Sequence, residues 1–165
     1  MTVTGKRTAN TAPITTVGAV ARYVLAKYRA EGSSLSLRQL HPTLWHIWLN
    51  VRRETGRTLF EELFLAMSRG PMSPQAENEF YRIQATPQGK ISVEPFCGDA
   101  EVLRIADKTM ERLCGLGADE LERTVTRRGG AWDCAWGDGD GAGHPIPYVL
   151  VVKMELERGA KNNET

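Results

Sequence analysis

Histidines, cysteines and aspartates are the side chains here that would bind a metal or move a proton, and their spacing limits what they do together. His41 and His46 stand five residues apart, whereas two imidazoles that share a metal from one helix face stand four apart. Each is therefore expected on a helix surface, or in the core with its ring nitrogens satisfied. Cys97, Cys114 and Cys134 form no C-x-x-C pair, so they and His144 are not expected to build a zinc site. Their odd number and irregular spacing fit reduced thiols in a cytoplasmic protein, each a small buried hydrophobe. The DGDG run from Asp138 to Gly141 alternates oxygen ligands. An EF-hand register through it, however, puts Trp136 at the first ligand position and Pro147 at the bidentate glutamate position, so calcium is not expected.

Nucleophilic and acid–base chemistry find no better footing. The chain contains no G-x-S-x-G elbow, and Ser33, Ser34 and Ser36 read as turn and cap residues. Glu61 and Glu62 are adjacent, so on a helix they face different ways, as solvated charges do. The glycines lack the Gly-Lys-Ser/Thr ending of a phosphate cradle. No catalytic residue, metal ligand or cofactor is expected, and the chain is read as a binding protein. The competing reading is a metal-dependent hydrolase drawing on His41, His46 and a cysteine, which bound zinc in the purified protein would favour.

Arginines suit binding better. Arg52-Arg53 and Arg127-Arg128 each fall at a helix C-terminus, where cations complement the helix dipole. Their planar forks also pair two-pronged with carboxylates at interfaces, so all four are candidate partner-binding residues. Trp136, beside the glycine run, is the candidate exposed aromatic anchor, and Trp132 is expected in the core. The charge balance of 21 basic against 20 acidic residues, net +1, excludes a protein built mainly to grip phosphates, so DNA is not an expected partner. No apolar run approaches the ~20 residues that span a bilayer, so neither is a membrane.

The elements that must position these side chains read mainly as helices. Val17, Val20, Ala21, Val24, Leu25 and Tyr28 recur at helical spacing, with Thr15 or Thr16 as cap and Gly32 as stop. Ser36 caps a second helix with a core face of Leu37, Leu40, Leu44, Ile47, Trp48 and Val51, closed by Gly56. Pro42 lies inside it and either kinks the helix or marks its true start, the kink being preferred. Leu59 to Met67 fits a helical or an extended segment. Gly70 and Pro71 force a turn, after which Ser73 caps a helix with Pro74 at its first position.

Gln84 to Cys97 reads as a loop in which Lys90 to Glu94, KISVE, alternates like a short strand. Asp99 caps a further helix through Leu113, ended by Gly115 and Gly117, and Asp119 to Thr126 forms another. The GDGDGAG run reads as a flexible surface loop, and the segment from Ile146 as strand or helix. The expected fold is mainly α, a compact single-domain helical bundle with at most a short β-bridge or hairpin. A flexible tail is expected at 1–14, the folded domain at 15–156 and a frayed tail at 157–165.

Three segments in this order resemble the Panacea domain family. VGAVARYVLAKYRAEGSSLSLRQL is similar to its opening helix, turn and L-[ST]-x-x-K-L start. LFEELFLAMSRGPMSP is similar to its Leu-Phe, Glu-Ala-Trp and Gly-Pro-Val-x-Pro run, and GADELERTVTRRGGAW to its closing element. Gly70, Pro71 and Trp132 are the most specific positions. The chain departs from the pattern at Pro42, at Met67 where the family has tryptophan, and at Arg127 to Gly130, where it has Thr-His. The family includes SocA-type proteolytic adaptors and phage-associated GepA proteins. The resemblance implies an antitoxin of a type II toxin–antitoxin system, neutralising by direct binding a cognate toxin encoded by an adjacent gene. The adaptor branch implies a protease as a further partner. Antitoxins often repress their own operons, which makes a DNA-binding regulator the other competitor, against which the near-neutral charge counts.

Overall fold

Four helices begin where a side-chain oxygen takes over an orphan backbone N–H. In the computed structural model, which describes residues 12–157, Thr16 accepts from the Ala19 amide to start α1, Val17–Ala30. Ser36 and Gln39 form a reciprocal capping box at the start of α2, Leu37–Thr55. The hairpin strands β1, Leu65–Met67, and β2, Gly70–Met72, follow. Ser73 then caps α3, Pro74–Gln84, and Asp99 caps α4, Ala100–Leu113. Three shorter helices close the chain: α5, Ala118–Val125, α6, Ala131–Trp136, and α7, Tyr148–Val151, which continues as a π-helical turn over Val152–Glu157. Seven α-helices and one two-stranded antiparallel hairpin, among the described residues, make the fold mainly α, as the periodicity predicts. Most of the two expected tails lies outside the described residues.

Helix α2 is the centre. It packs on α4 and α5, touches α1 and α3, and meets β2. Leu40, Leu44, Trp45, Ile47, Trp48, Leu49 and Val51 are all buried, so this helix hides most of its circumference and not only the stripe its sequence displays. The capping box fixes its start at Ser36, and Pro42 sits buried inside the continuous helix. Both Trp45 and Trp48 face the core, where they join Phe60, Phe64 and Tyr148 in one aromatic cluster with ring centroids 5.2–5.9 Å apart.

Leu59 to Phe64, ambiguous by sequence, is irregular chain that sends Phe60 and Phe64 inward. Its carbonyls anchor the residues ahead of α1, since Ile14 N donates to Thr58 O at 3.0 Å and Thr15 N to Leu59 O at 2.9 Å. Glu62 is not the free solvated charge its sequence context predicts. Its Oε2 accepts from Val17 N at 3.3 Å, at the positive end of α1.

Three further expectations are corrected. The KISVE segment forms a 3₁₀ turn, Gln88–Lys90, followed by irregular chain, because no strand lies alongside to pair with it among the described residues. The glycine run is at the surface but is tied down: Gly143 N donates to Ala66 O at 2.8 Å, and Ala66 N to His144 O at 2.9 Å. Cys114 and Cys134 are exposed and Cys97 half-buried. Cys114 falls just beyond the last turn of α4, and α6 spends its single buried face on Ala131 and Trp132. No helix among the described residues is long and apolar enough to cross a membrane.

Candidate functional site: a cleft walled by the hairpin

The hairpin pairs Leu65 with Met72, Ala66 with Pro71 and Met67 with Gly70, leaving Ser68 and Arg69 as its two-residue loop. The reversal thus comes two residues before the turn expected at Gly70-Pro71, and those two residues open β2. Among the described residues Asp138 is the one non-glycine with positive φ, so Ser68 and Arg69 keep negative φ. Two-residue hairpins of the favoured types need positive φ within the loop. Here Gly70, at φ 136°, supplies it just after the loop. A side chain at Gly70 would also press on Thr126 Cγ2 at 3.2 Å, because the hairpin rests on the end of α5. Pro71 lacks an N–H but loses no ladder bond. Its partner Ala66 turns its own N–H and C=O the other way, to His144 and Gly143.

Trp132 is 8% exposed and its Nε1 donates to Met67 O at 2.7 Å, pinning the end of β1 to α6. Its ring stacks on Trp136 with centroids 5.8 Å apart and planes 12° from parallel. Trp136 is therefore half-buried against Trp132, and not the free-standing anchor that the sequence suggests.

Between the hairpin and the start of α2 lies a cleft of about 230 Å³. Leu37, Pro42, Met67, Pro71, Met72 and Val125 give it apolar walls; Arg38, His41, Arg69, Glu77 and Glu122 bring the polar groups. A more open hollow of about 400 Å³ continues from it past the hairpin tip. That hollow shares Ser68, Arg69 and Glu122 with the cleft and adds Asp119, Arg123, Thr126 and Trp132. Arg38 spans the two helices that flank the cleft. Its Nε donates to Glu122 Oε2 at 3.0 Å and its Nη2 to Glu122 Oε1 at 2.6 Å, and the same guanidinium bonds Asp119. Hydrogen bonding to Glu122 and Asp119 raises Arg38 above its already high pKa, and the bond from Arg38 holds the Asp119 carboxyl below the usual range. Arg69 is 67% exposed, and its 3.6 Å approach to Glu122 is a loose surface pair.

His41 is held in one tautomer. Its Nδ1 accepts from Ser73 N at 3.2 Å, so the proton of the neutral ring sits on Nε2. Burial pushes its pKa down to about 4. The unfolded chain protonates this histidine near 6.5, and the fold resists protonation until about 4. Its contribution to stability is therefore complete above pH 6.5 and lost as the pH falls towards 4. We expect a loss of about 3 kcal/mol from this residue over that window, read from urea midpoints at pH 7 and pH 4. His41→Asn offers Oδ1 to the Ser73 amide and has no proton to gain, and should flatten that part of the pH dependence. His46 faces elsewhere, with Nε2 2.7 Å from Thr124 Oγ1, and is also lowered to about 4 by burial, with Arg53 and Arg112 nearby.

The sequence-predicted arginines are scattered. Arg52 donates to Gly56 O at 2.5 Å, an ordinary C-terminal cap. Arg53 reaches Glu155 O at 3.4 Å, while Arg127 pairs with the buried Glu155 carboxylate and donates to Met154 O at 3.1 Å. Both therefore hold the C-terminal turn. Arg128 is exposed. None of the four lines the cleft or the hollow. The cations that do, Arg38, Arg69 and Arg123, escaped sequence reading because they are single residues, although Arg69 sits inside the motif that stood out most. Among the described residues no three His, Cys, Asp or Glu side chains gather as a metal-binding group.

Fold and site together define a mainly α-helical domain with an apolar cleft walled by a β-hairpin. Comparison with known protein families, curated proteins and solved structures finds no match to the chain.

Proposed function

We propose that this domain acts by binding another protein, and that it is an antitoxin of the Panacea type, which neutralises in the cytoplasm a small toxin encoded beside it. The observation that carries the reading is a convergence. Gly70, Pro71 and Trp132, separated in sequence and singled out by resemblance alone, all serve one hairpin beside one apolar cleft. The cleft's chemistry also favours binding over turnover. Its histidine is neutral with Nδ1 occupied by Ser73, and its best-placed carboxylate, Glu122, is committed to Arg38. Neutralisation is then steric: a preformed surface covers the toxin, and affinity comes from a few desolvated contacts at its centre. Delivery of the captured toxin to a protease, the role of the adaptor branch, is a separate second step.

The test is co-expression with the product of the adjacent short reading frame. The wild-type chain should relieve growth arrest. Met72→Trp, which enlarges a half-buried side chain on the cleft wall, should abolish relief while shifting the melting temperature by only a few degrees. Relief by Met72→Trp equal to wild type would remove the cleft from the account.

A further inference from the structure

The cleft and the adjoining hollow differ in charge, and that difference specifies what fits. The cleft is mainly apolar and, at about 230 Å³, smaller than the roughly 300–1,000 Å³ of pockets that enclose whole small ligands. It suits one side chain. In the hollow, three guanidinium groups, Arg38, Arg69 and Arg123, meet two carboxylates, Asp119 and Glu122. Arg38 already serves both carboxylates. Arg69 makes only the loose contact to Glu122, and Arg123 is exposed. The positive charge in excess thus sits at the hairpin tip. Glu77 lines the cleft but not the hollow, so the α3 side carries the opposite sign.

Resting on the binding role proposed above, we infer that the cleft receives a leucine-sized side chain from an extended segment of the bound protein, and that a carboxylate next to it lies between Arg69 and Arg123. The apolar side chain enters among Pro42, Met67, Met72 and Val125, and the carboxylate completes the charge balance of the hollow. A basic residue in that place would face two guanidinium groups, and a carboxylate on the α3 side would face Glu77. The site therefore reads both the sign of the charge and the direction of the segment.

The full chain, isotopically labelled, is titrated with two short acetylated peptides, one with aspartate beside leucine and one with lysine in its place. The aspartate peptide should shift the amides of Met67, Arg69, Met72 and Val125 in a saturable way, with the lysine peptide at least tenfold weaker. Arg123→Glu, an exposed substitution, should reverse that preference. Equal response to both peptides, shifts confined to other surfaces, no shifts at all, or a preference untouched by Arg123→Glu would each overturn the inference. The two levels fail separately. Growth relief by wild type and equally by the Arg69→Glu, Arg123→Glu double variant sinks the segment and leaves the antitoxin reading standing. No relief by wild type sinks the antitoxin reading whatever the peptides do.

Discussion

Gly141→Ala is expected to cost roughly 3 kcal/mol of stability, far more than one methyl group ordinarily does. A Cβ at that position would lie 1.8 Å from Ala135 O and 2.9 Å from Ala135 C. Both are backbone atoms of α6, so no side-chain rotation relieves the clash. Gly141 N also donates to Trp136 O at 2.9 Å, which fixes its approach to the helix end. To admit the methyl group the turn must lift, and Gly143 and His144 would lift with it. Those residues hold one edge of β1, whose other edge is the cleft-walling β2. The substitution should therefore lower the urea midpoint and also loosen the hairpin, visible as faster amide exchange at Ala66. Gly89→Ala is the control, with nothing within 4 Å of its Cβ and no positive φ. It should stay within about 0.5 kcal/mol of wild type.

Trp48→Ala should be the most damaging core truncation, at about 4 kcal/mol. Trp48 is 2% exposed and stands where three parts of the chain meet. It stacks on Phe60 at 5.5 Å, tilts against Phe64 at 5.4 Å and Tyr148 at 5.6 Å, and meets Trp45 edge-on at 5.6 Å. Its Nε1 donates to Phe60 O at 3.2 Å, one of the few polar tethers on the irregular Leu59 to Phe64 chain. Truncation removes the packing and leaves that carbonyl without its indole donor. Trp48→Phe keeps most of the aromatic volume and loses the hydrogen bond, so about 1–2 kcal/mol is expected, and the difference between the two variants separates packing from tether. Chemical denaturation of both variants against wild type measures each loss.

Helix starts were legible in the sequence because each depends on one local side chain. Ser36, Ser73 and Asp99 all cap as their positions predict, and Gly56, at φ 73°, ends α2. The hidden features depend on partners distant in sequence. Strand β1 is fixed by residues 143–146, more than seventy positions away, so no local pattern distinguishes Leu65 to Met67 as a strand. KISVE has the alternation but no such partner, and forms no strand. Pro42 looked disruptive because a helix interior penalises a missing N–H, yet the capping box one turn earlier had already set the start of α2.

The site divides in the same way. Gly70, Pro71 and Trp132 stood out as motif residues, but that they serve one hairpin is a tertiary fact. Arg127 looked like a partner-facing cation and is instead drawn to Glu155, a carboxylate with 7% of its side chain exposed whose partner must come from elsewhere in the chain. The cleft's own cations, Arg38 and Arg69, carry no local signal of pairing with Glu122 across α5.

The account stands or falls on capture of one protein by another. Purified chain and purified product of the neighbouring short gene are mixed in a calorimeter, and the mixture is then resolved by size. A stoichiometric complex with a dissociation constant of about 10 nM or tighter, weakened at least tenfold by Met72→Trp, is the predicted outcome. Two proteins that elute separately at micromolar concentration, with no heat of mixing, would contradict it.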